Sequence, residues 1–254
     1  MKERRIIEYS DEKNDEFSTA QITPRRIDGS YRYQRGAVAH FFWYRMVATP
    51  LAFFYLKLKF HHRVIGREKL KSAREQGCFI YGNHTQIVAD ALIPSFVSFP
   101  VDAYVVVHPN NVSMPYLGRV TPYMGALPLP DDAEAAKNFT DAIKRCIERD
   151  RAVVIYPEAH IWPYYTKIRP FDDASFFYPI KHGTPVFCFT NVYQKRKHTE
   201  HPRIVTYVDG PFLPDAALPL RQRRRALRDA VYQAMCARAK LSDCEYIHYQ
   251  PKEK

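Results

Sequence analysis

The 254-residue sequence lacks several patterns that mark common classes of protein. Its five cysteines are odd in number and form no CxxC pair, so we expect neither disulfides nor a zinc-cysteine site, and a reducing compartment is favoured. It contains no HExxH pair of metal ligands and no Gly-x-Ser-x-Gly turn for a serine nucleophile. These absences weigh against disulfide-stapled secreted proteins, zinc peptidases and serine hydrolases.

The sequence also lacks an apolar run long enough, and free enough of charge, to cross a membrane. The start, MKERRIIEYSDEKNDE, has no apolar stretch behind its charges, so we expect no secretory signal and a protein that faces the cytoplasm. The most hydrophobic stretch, Gly36–Phe60, predicts two short helices that bend at Pro50 and lie in the membrane interface, where Trp43, Tyr44 and Tyr55 are favoured. Burial of the same stretch inside the domain is the alternative.

Positive charge is in excess, with 38 Lys and Arg against 27 Asp and Glu and a formal net charge of +11. Such a field attracts anionic partners, either an anionic membrane surface or a nucleic acid. The densest basic run, Arg221–Arg225, lies in a predicted amphipathic helix, and no nucleic-acid-binding motif accompanies it. We therefore expect an anionic membrane surface as partner and no nucleic acid, with a non-enzymatic basic binding protein as an alternative.

Short β-branched and aromatic runs alternate with helical periods after residue 60. The predicted strands are His62–Ile65, Cys78–Tyr81, Ala103–Val107, Ala152–Tyr156, Val186–Thr190 and Ile204–Val208, and the predicted long helices are Ala133–Glu148 and about Leu220 to Lys240. This alternation predicts an α/β fold with a mainly parallel central sheet flanked by helices, preceded by an N-terminal amphipathic helical segment. We divide the chain into a polar arm over 1–30, either mobile or strapped over the domain, an interfacial segment over 31–60 and a catalytic domain over 61–254.

Polar side chains follow three of the predicted strands. Asn83 and His84 follow one strand, Glu158 and His160 follow a second, and Asn191 follows a third. Because ligands in parallel sheets bind beyond the carboxyl ends of the strands, we expect these residues to meet at one edge.

His84 and Asp90 are the candidate acid-base pair. An imidazole can take the proton of an attacking hydroxyl while a carboxylate fixes its tautomer, although a His and an Asp six residues apart recur by chance. A hydrolytic metal site that also uses Glu158, His160 and His182 is an alternative, because imidazole and carboxylate are zinc ligands. No local pair fixes such a geometry, so we expect no metal.

Four segments in order carry a resemblance to a known family. YGNHTQIVADALIPS, LGRVTPYMGALPLPDD, IYPEAHIWP and GTPVFCFTNVY, between Phe79 and Tyr193, resemble the four motifs of the glycerolphosphate and lysophospholipid acyltransferase family. The joint order is far more specific than any single motif.

The resemblance implies an O-acyltransferase domain over 61–254 that acts on a lysophospholipid or glycerolphosphate-type acceptor. His84 would deprotonate the acceptor hydroxyl, which attacks the thioester of acyl-CoA or acyl-carrier protein, and Asp90 would orient it, without a cofactor beyond the acyl donor. The positions of Asn83, Gly125 and Glu158 imply contacts with the substrate. The helices of the segment before residue 60 would dock on the cytoplasmic face of the cell membrane as a monotopic or peripheral anchor, and the oligomeric state is left open.

This sequence departs from the family's pattern at two places in its first two motifs. Five residues separate His84 from Asp90 where the family has four, which requires a bulge or a looser first turn of the following helix. The arginine that ends the second motif and grips an acceptor phosphate is absent, and Asp131 and Asp132 stand there. Arg169 is the favoured substitute cation, ahead of Lys137 or Arg119.

The third motif also departs from the pattern. Ala159 and His160 stand where the family has a Gly-Thr pair after the glutamate. The side chain of His160 is expected either to contact the substrate or to pack beside Trp162.

Overall fold

The computed structural model describes residues 5–17 and 22–252. Within these residues the strands are β1 (Arg5–Tyr9), β2 (Arg63–Ile65), β3 (Cys78–Gly82), β4 (Ala103–Val107), β5 (Ala126–Pro128), β6 (Ala152–Ile155), β7 (Val186–Arg196), β8 (Thr199–Phe212) and β9 (Ile247–Pro251). The α-helices there are α1 (Ala37–Phe41), α2 (Thr49–Phe60), α3 (Ala89–Ser98), α4 (Ala133–Glu148), α5 (Phe177–His182) and α6 (Leu220–Ala239).

A seven-stranded sheet with the order β2-β8-β7-β3-β6-β4-β5 forms the centre of the protein. Strands β7, β3, β6, β4 and β5 run parallel to one another, whereas β8 pairs antiparallel with β7 and parallel with β2. The predicted mainly parallel α/β sheet is thus confirmed. The sequence did not predict β1, β5 and β9, which are short, and it did not predict that β7 and β8 form one long hairpin.

Helices cover both faces of the sheet and give it two cores. Side chains of β3 alternate, so that Phe79 and Tyr81 pack under α4 and α6 while Cys78 and Ile80 pack under α2 and α3. Every residue of β3 is buried, as expected of a central parallel strand. Cys78 is only 2% exposed, and burial raises the pKa of its thiol to about 12.

The hydrophobic stretch before residue 60 is one helical run in which α1 passes through a π-helical segment, Phe42–Ala48, into α2. The predicted break at Pro50 is therefore a change of helix type just before the proline, which lacks the N–H that a continuous α-helix needs. Tyr44 was predicted at the membrane interface but is buried, and its hydroxyl accepts a hydrogen bond from Ala103 N at 2.7 Å. Among the described residues, no helix combines the length and the hydrophobicity needed to cross a membrane.

The described part of the N-terminal arm straps over the domain. β1 pairs in parallel with β9, and between them they enclose the indole of Trp162, which packs at 4.9 Å from the ring of Tyr9 and 5.0 Å from that of Tyr249. The indole Nε1 also donates to Asp15 O at 2.7 Å. Residues 1–4 and 18–21 of the predicted arm lie outside the described residues.

Candidate active site

His84 and Asp90 are in direct contact at the carboxyl end of β3. His84 Nδ1 lies 2.9 Å from Asp90 Oδ2, and the imidazole stacks on the ring of Tyr156 with 4.4 Å between centroids. The His84 side chain is 18% exposed, and its Nε2 has no hydrogen-bonding partner within the part of the chain that the structure describes. When Nδ1 donates to the carboxylate, Nε2 is left unprotonated and open to a substrate proton.

A wide turn before α3 accommodates the extra residue between His84 and Asp90. Residues 83–86 have no regular secondary structure, residues 87–88 form a turn, and α3 begins at Ala89, so that Asp90 lies in its first turn. From there the Asp90 Oδ2 atom accepts hydrogen bonds from the backbone N–H groups of Thr85 at 2.7 Å and Gln86 at 2.8 Å. The carboxylate itself therefore folds the longer turn into a fixed shape.

Asp90 is 1% exposed and is surrounded by donors. Its Oδ1 atom lies 3.4 Å from Asn191 Nδ2, while Oδ2 accepts the bonds from His84 and the two amides. Burial raises the pKa of this carboxyl, and the hydrogen bonds from His84, Gln86 and Thr85 act in the opposite direction. A set of partners made only of donors fits the ionised form.

A chain of buried hydrogen bonds continues from Asp90 through β7 and β8 to the residue that precedes β2. Asn191 Oδ1 accepts from Thr206 Oγ1 at 2.6 Å, and Thr206 Oγ1 lies 2.7 Å from His62 Nε2. Asn83 closes the near side, since its Oδ1 accepts from Asn191 N at 2.7 Å and its Nδ2 donates to Asn191 O at 3.0 Å. Asn83 thus joins the end of β3 to β7 beside the pair, and the contact with a substrate that the motif implies stays a prediction.

Glu158 and Arg169 form a buried ion pair behind His84. Glu158 Oε2 accepts from His84 N at 2.9 Å and Oε1 accepts from Arg169 N at 2.9 Å, while Arg169 Nη2 lies 3.7 Å from Oε2. Both residues are buried, with 3% and 0% exposure. Burial raises the pKa of Glu158, and the charge of Arg169 opposes that rise.

This pair differs from what the sequence predicted for its two members. Arg169, expected as a substitute cation for an acceptor phosphate, is enclosed under the Trp162 ring and donates to the carbonyls of Glu158 and His160. Its side chain is fully buried, and its Nε and Nη1 atoms have no hydrogen-bond partner among the described residues. Glu158, expected to contact the acceptor, uses both carboxylate oxygens to hold the backbone of His84 and Arg169.

Two further predicted residues lie away from the pair. His160 Nδ1 lies 3.7 Å from Glu16 Oε2 of the arm, and its contact with the substrate stays a prediction. Gly125 lies at the amino end of β5, at the edge of the sheet opposite to His84. Glycine is required there because its φ is +91° and because a Cβ atom would stand only 2.6 Å from Ala103 O. The structure therefore does not bring His160 or Gly125 to the acid-base pair.

The two aspartates that replace the second motif's arginine have structural contacts. Asp132 caps α4 by accepting from Ala135 N at 2.8 Å, and Asp131 Oδ2 accepts from Ile27 N at 2.7 Å. A cap of this kind stabilises a helix by about 1 kcal/mol. The two aspartates that stand in place of the family's arginine thus stabilise the start of α4 and hold the arm against the domain.

Tyr156 is a residue of the site that the sequence analysis did not single out. Its ring stacks on His84, and its hydroxyl donates to the backbone carbonyl of Asp90. Its position directly after β6, at the edge that carries His84, was the signal available in the sequence.

The residues of the alternative metal site do not converge. Across residues 5–17 and 22–252, no three side chains of His, Cys, Asp or Glu come together in a way that could hold a metal ion. His182, one of the five proposed ligands, lies on α5, where it stacks against Phe79.

Comparison with known proteins places the chain in a family. A search of curated proteins gave no significant match. Among solved structures, the chain is similar to the 1-acyl-sn-glycerophosphate (LPA) acyltransferase PlsC from Thermotoga maritima, with 14% identity, a TM-score of 0.49 and coverage of 74% of this chain and 75% of that one. A model of the acyltransferase family matches residues 61–190, just over half of the sequence and the span that contains His84, Asp90 and Glu158. The chain therefore belongs to the acyltransferase family.

Proposed function

We propose that the protein transfers a fatty acyl group from acyl-CoA or acyl-carrier protein to a hydroxyl of a lysophospholipid or glycerolphosphate-type acceptor. The observation that carries this proposal is the 2.9 Å contact between His84 Nδ1 and Asp90 Oδ2 in a chain of the acyltransferase family. The type of acceptor rests on the resemblance of the four motifs.

In the proposed reaction His84 Nε2 accepts the proton of the acceptor hydroxyl as the oxygen attacks the thioester carbonyl. The carbon–sulfur bond then breaks, the acyl group stays on the acceptor oxygen, and the leaving thiolate takes the proton from His84. Asp90 stabilises the imidazolium that exists between these two proton transfers. Glu158 positions the base and takes no proton itself, because its Oε2 atom accepts a hydrogen bond from His84 N at 2.9 Å.

Product analysis tests the reaction directly. The purified chain is incubated with acyl-CoA and with acyl-carrier protein in parallel, each against a panel of lysophospholipids and glycerol phosphate, and products are identified by mass spectrometry. We expect one acceptor to gain the mass of one acyl chain as one free thiol is released. Release of free fatty acid without an acylated acceptor would identify a thioesterase and contradict the proposal.

We also propose that the protein docks on the cytoplasmic face of the cell membrane as a monotopic or peripheral protein. One side of the helical run is buried through Ala52, Leu56 and Phe60. The other side exposes a set of large apolar residues: Val38, Phe41, Phe42, Met46, Leu51, Phe53, Phe54 and Leu58. A bilayer fits this surface because the net charge of +11 favours an anionic lipid surface, of the kind found in the cytoplasmic leaflet.

Replacing two of these leucines should weaken binding to anionic vesicles. Leu51 and Leu58, seven residues apart on one face of α2, are 61% and 75% exposed. Because each leucine contributes up to about 1.5–3 kcal/mol when fully removed from water, the double change to Ser should lower partitioning onto phosphatidylglycerol-containing vesicles by at least about tenfold in a sedimentation assay. The matched control replaces Leu213 and Leu220, which are 69% and 54% exposed outside this surface. Equal loss in both double variants would refute the assignment of this surface.

A further inference from the structure

Three polar side chains are buried next to Asp90, in a row that crosses the sheet. Asn191 lies on β7, Thr206 lies opposite it on β8, and His62 directly precedes β2. Their exposed fractions are 2%, 0% and 0%. Each must be hydrogen-bonded, because an unpaired polar group costs free energy in a core. Backbone pairing already joins β7 to β8, so the strands do not need these side-chain contacts to hold together.

The hydrogen bonds along this row run in one direction, toward Asp90. The Oδ2 atom of Asp90 accepts from His84 and from two backbone amides, whereas Oδ1 faces Asn191 Nδ2 at 3.4 Å. With its amide nitrogen toward the carboxylate, Asn191 presents Oδ1 to Thr206 Oγ1 at 2.6 Å, and the hydroxyl proton is used in that bond. His62 Nε2, which lies 2.7 Å from the same hydroxyl oxygen, must therefore donate to it.

The row ends at an imidazole whose tautomer and charge are fixed. Nδ1 of His62 is then the unprotonated nitrogen, and it has no hydrogen-bond partner among the described residues. Burial, together with the charges of Lys57 and Arg67, lowers the pKa of His62 to about 3, so the ring is neutral near pH 7. The backbone of His62 is held as well, since its N–H donates to Leu56 O at 3.1 Å and its carbonyl accepts from Lys57 Nζ at 2.8 Å.

The charge of Asp90 depends on the donors that reach it. The titratable groups that face it are His84, Tyr156, Tyr193 and, through the backbone of His84, Glu158. Burial raises the pKa of both tyrosines well above its usual value, so neither is charged near neutral pH. Burial also raises the pKa of Asp90, and each donor to the ionised form opposes that rise. A donor at Oδ1 therefore helps to keep Asp90 ionised beside His84.

We propose that Asn191, Thr206 and His62 are positioning residues, which orient Asp90 for its contact with His84 through this one-way row of hydrogen bonds. Each acts through Asp90, and burial keeps all three out of contact with either substrate. Asn191 and Thr206 lie beyond residues 61–190, the span that the family model matches. The kinetic test of this inference rests on the proposed acyl transfer, and the spectroscopic test does not.

The variant Thr206→Val removes the hydroxyl with little change of shape and interrupts the row. We expect kcat to fall by about tenfold, the size of one lost hydrogen bond, while the KM values for donor and acceptor stay the same. Thr206→Ser keeps a hydroxyl and should restore most of the turnover. The matched control is Thr190→Val, which should keep wild-type kcat. Thr190 is also fully buried, and its hydroxyl has no hydrogen-bond partner among the described residues.

The pH dependence of kcat separates positioning from support of the fold. A carboxyl that has lost part of its donor row keeps its proton to a higher pH, so the kcat of Thr206→Val should decline at a higher pH than that of the wild type as the pH is lowered. In an Asp90→Asn background, Thr206→Val should cause no further loss, because the row acts through that carboxylate. An unshifted pH profile, equal losses in both backgrounds, or an equal loss in Thr190→Val would overturn the inference.

A measurement that needs no turnover is the titration of Asp90 by carbon NMR, with the aspartate carboxyl carbons labelled and the Asp90 signal assigned from Asp90→Asn. The carboxyl of Asp90 should titrate at a higher pH in Thr206→Val than in the wild type and in Thr190→Val. The same midpoint in all three proteins would overturn the inference. A shifted midpoint in a protein that transfers no acyl group would instead contradict only the proposed function.

Discussion

Replacing His84 with Ala should lower kcat by about 10²–10⁴-fold while the protein keeps its fold. The imidazole supplies the base, and the structure offers no second histidine beside Asp90 among the described residues. The fold should survive because the side chain is 18% exposed and makes one side-chain hydrogen bond, to Asp90, while its backbone bond to Glu158 is kept. The measurement is kcat for acyl transfer, with circular dichroism and thermal unfolding to confirm the fold.

The control for this variant is His198→Ala, an exposed histidine in the turn of the β7–β8 hairpin, which should keep wild-type turnover. Because His84 and Asp90 act as a unit, the double variant His84→Ala/Asp90→Asn should be no slower than His84→Ala alone. Additive losses would mean that Asp90 acts independently of His84. Full turnover in a folded His84→Ala protein would show that His84 is not the general base.

Replacing Arg169 with Met should lower the free energy of unfolding by about 3–5 kcal/mol, because it leaves the buried Glu158 carboxylate without its cation. Methionine fills much of the same space as arginine, so the decrease in the free energy of unfolding comes mainly from the lost charge and less from lost packing. Denaturant unfolding of the two proteins gives the difference. The exposed Lys167, two residues earlier, provides the matched control, since Lys167→Met also removes one positive charge and should cost less than about 0.5 kcal/mol.

The destabilisation should also depend on pH. Burial raises the pKa of Glu158 in the wild type, and loss of Arg169, which lowers it, should raise it further. An acid with a raised pKa in the folded state binds its proton more tightly there than in the unfolded chain, so its folded form is favoured at low pH and loses stability as pH rises through the raised pKa. The difference between Arg169→Met and wild type should therefore grow between about pH 5 and pH 8. A difference that is constant over this range, or as small as that of Lys167→Met, would show that the pair contributes little.

The hydrophobic pattern predicted most of the sheet, and the reason is local. Ala103–Val107 and Ala133–Glu148 have the predicted bounds, because strand and helix periods are set by residues a few positions apart. A strand as short as β5, with three residues, has too few positions to show an alternation of apolar and polar residues. β1 and β9 are stabilised by pairing with each other from opposite ends of the chain, a contact that a short stretch of sequence cannot reveal.

The candidate site also has features that the local sequence predicted and features that it did not. That His84, Glu158 and Asn191 would meet at one edge followed from parallel strands and their order in the sequence, and the contacts with Asp90 agree with it. The sequence did not predict which groups pair inside the site. It predicted that Arg169 is free to bind a phosphate. In the structure, the loop formed by residues 158–169 places Arg169 against Trp162 and makes it the buried partner of Glu158.

Periodic burial and strand direction are properties of short segments, so the amino-acid pattern was enough to predict the layered α/β fold and the edge of the sheet at which the candidate site residues lie. Only long-range contacts in the folded chain make the arm a strap, through the pairing of β1 with β9 and the hydrogen bond of Ile27 to Asp131. The residues that these contacts join are 104 positions apart for Ile27 and Asp131 and 242 apart for Arg5 and Ile247, and their geometry depends on how loops close after the sheet has formed.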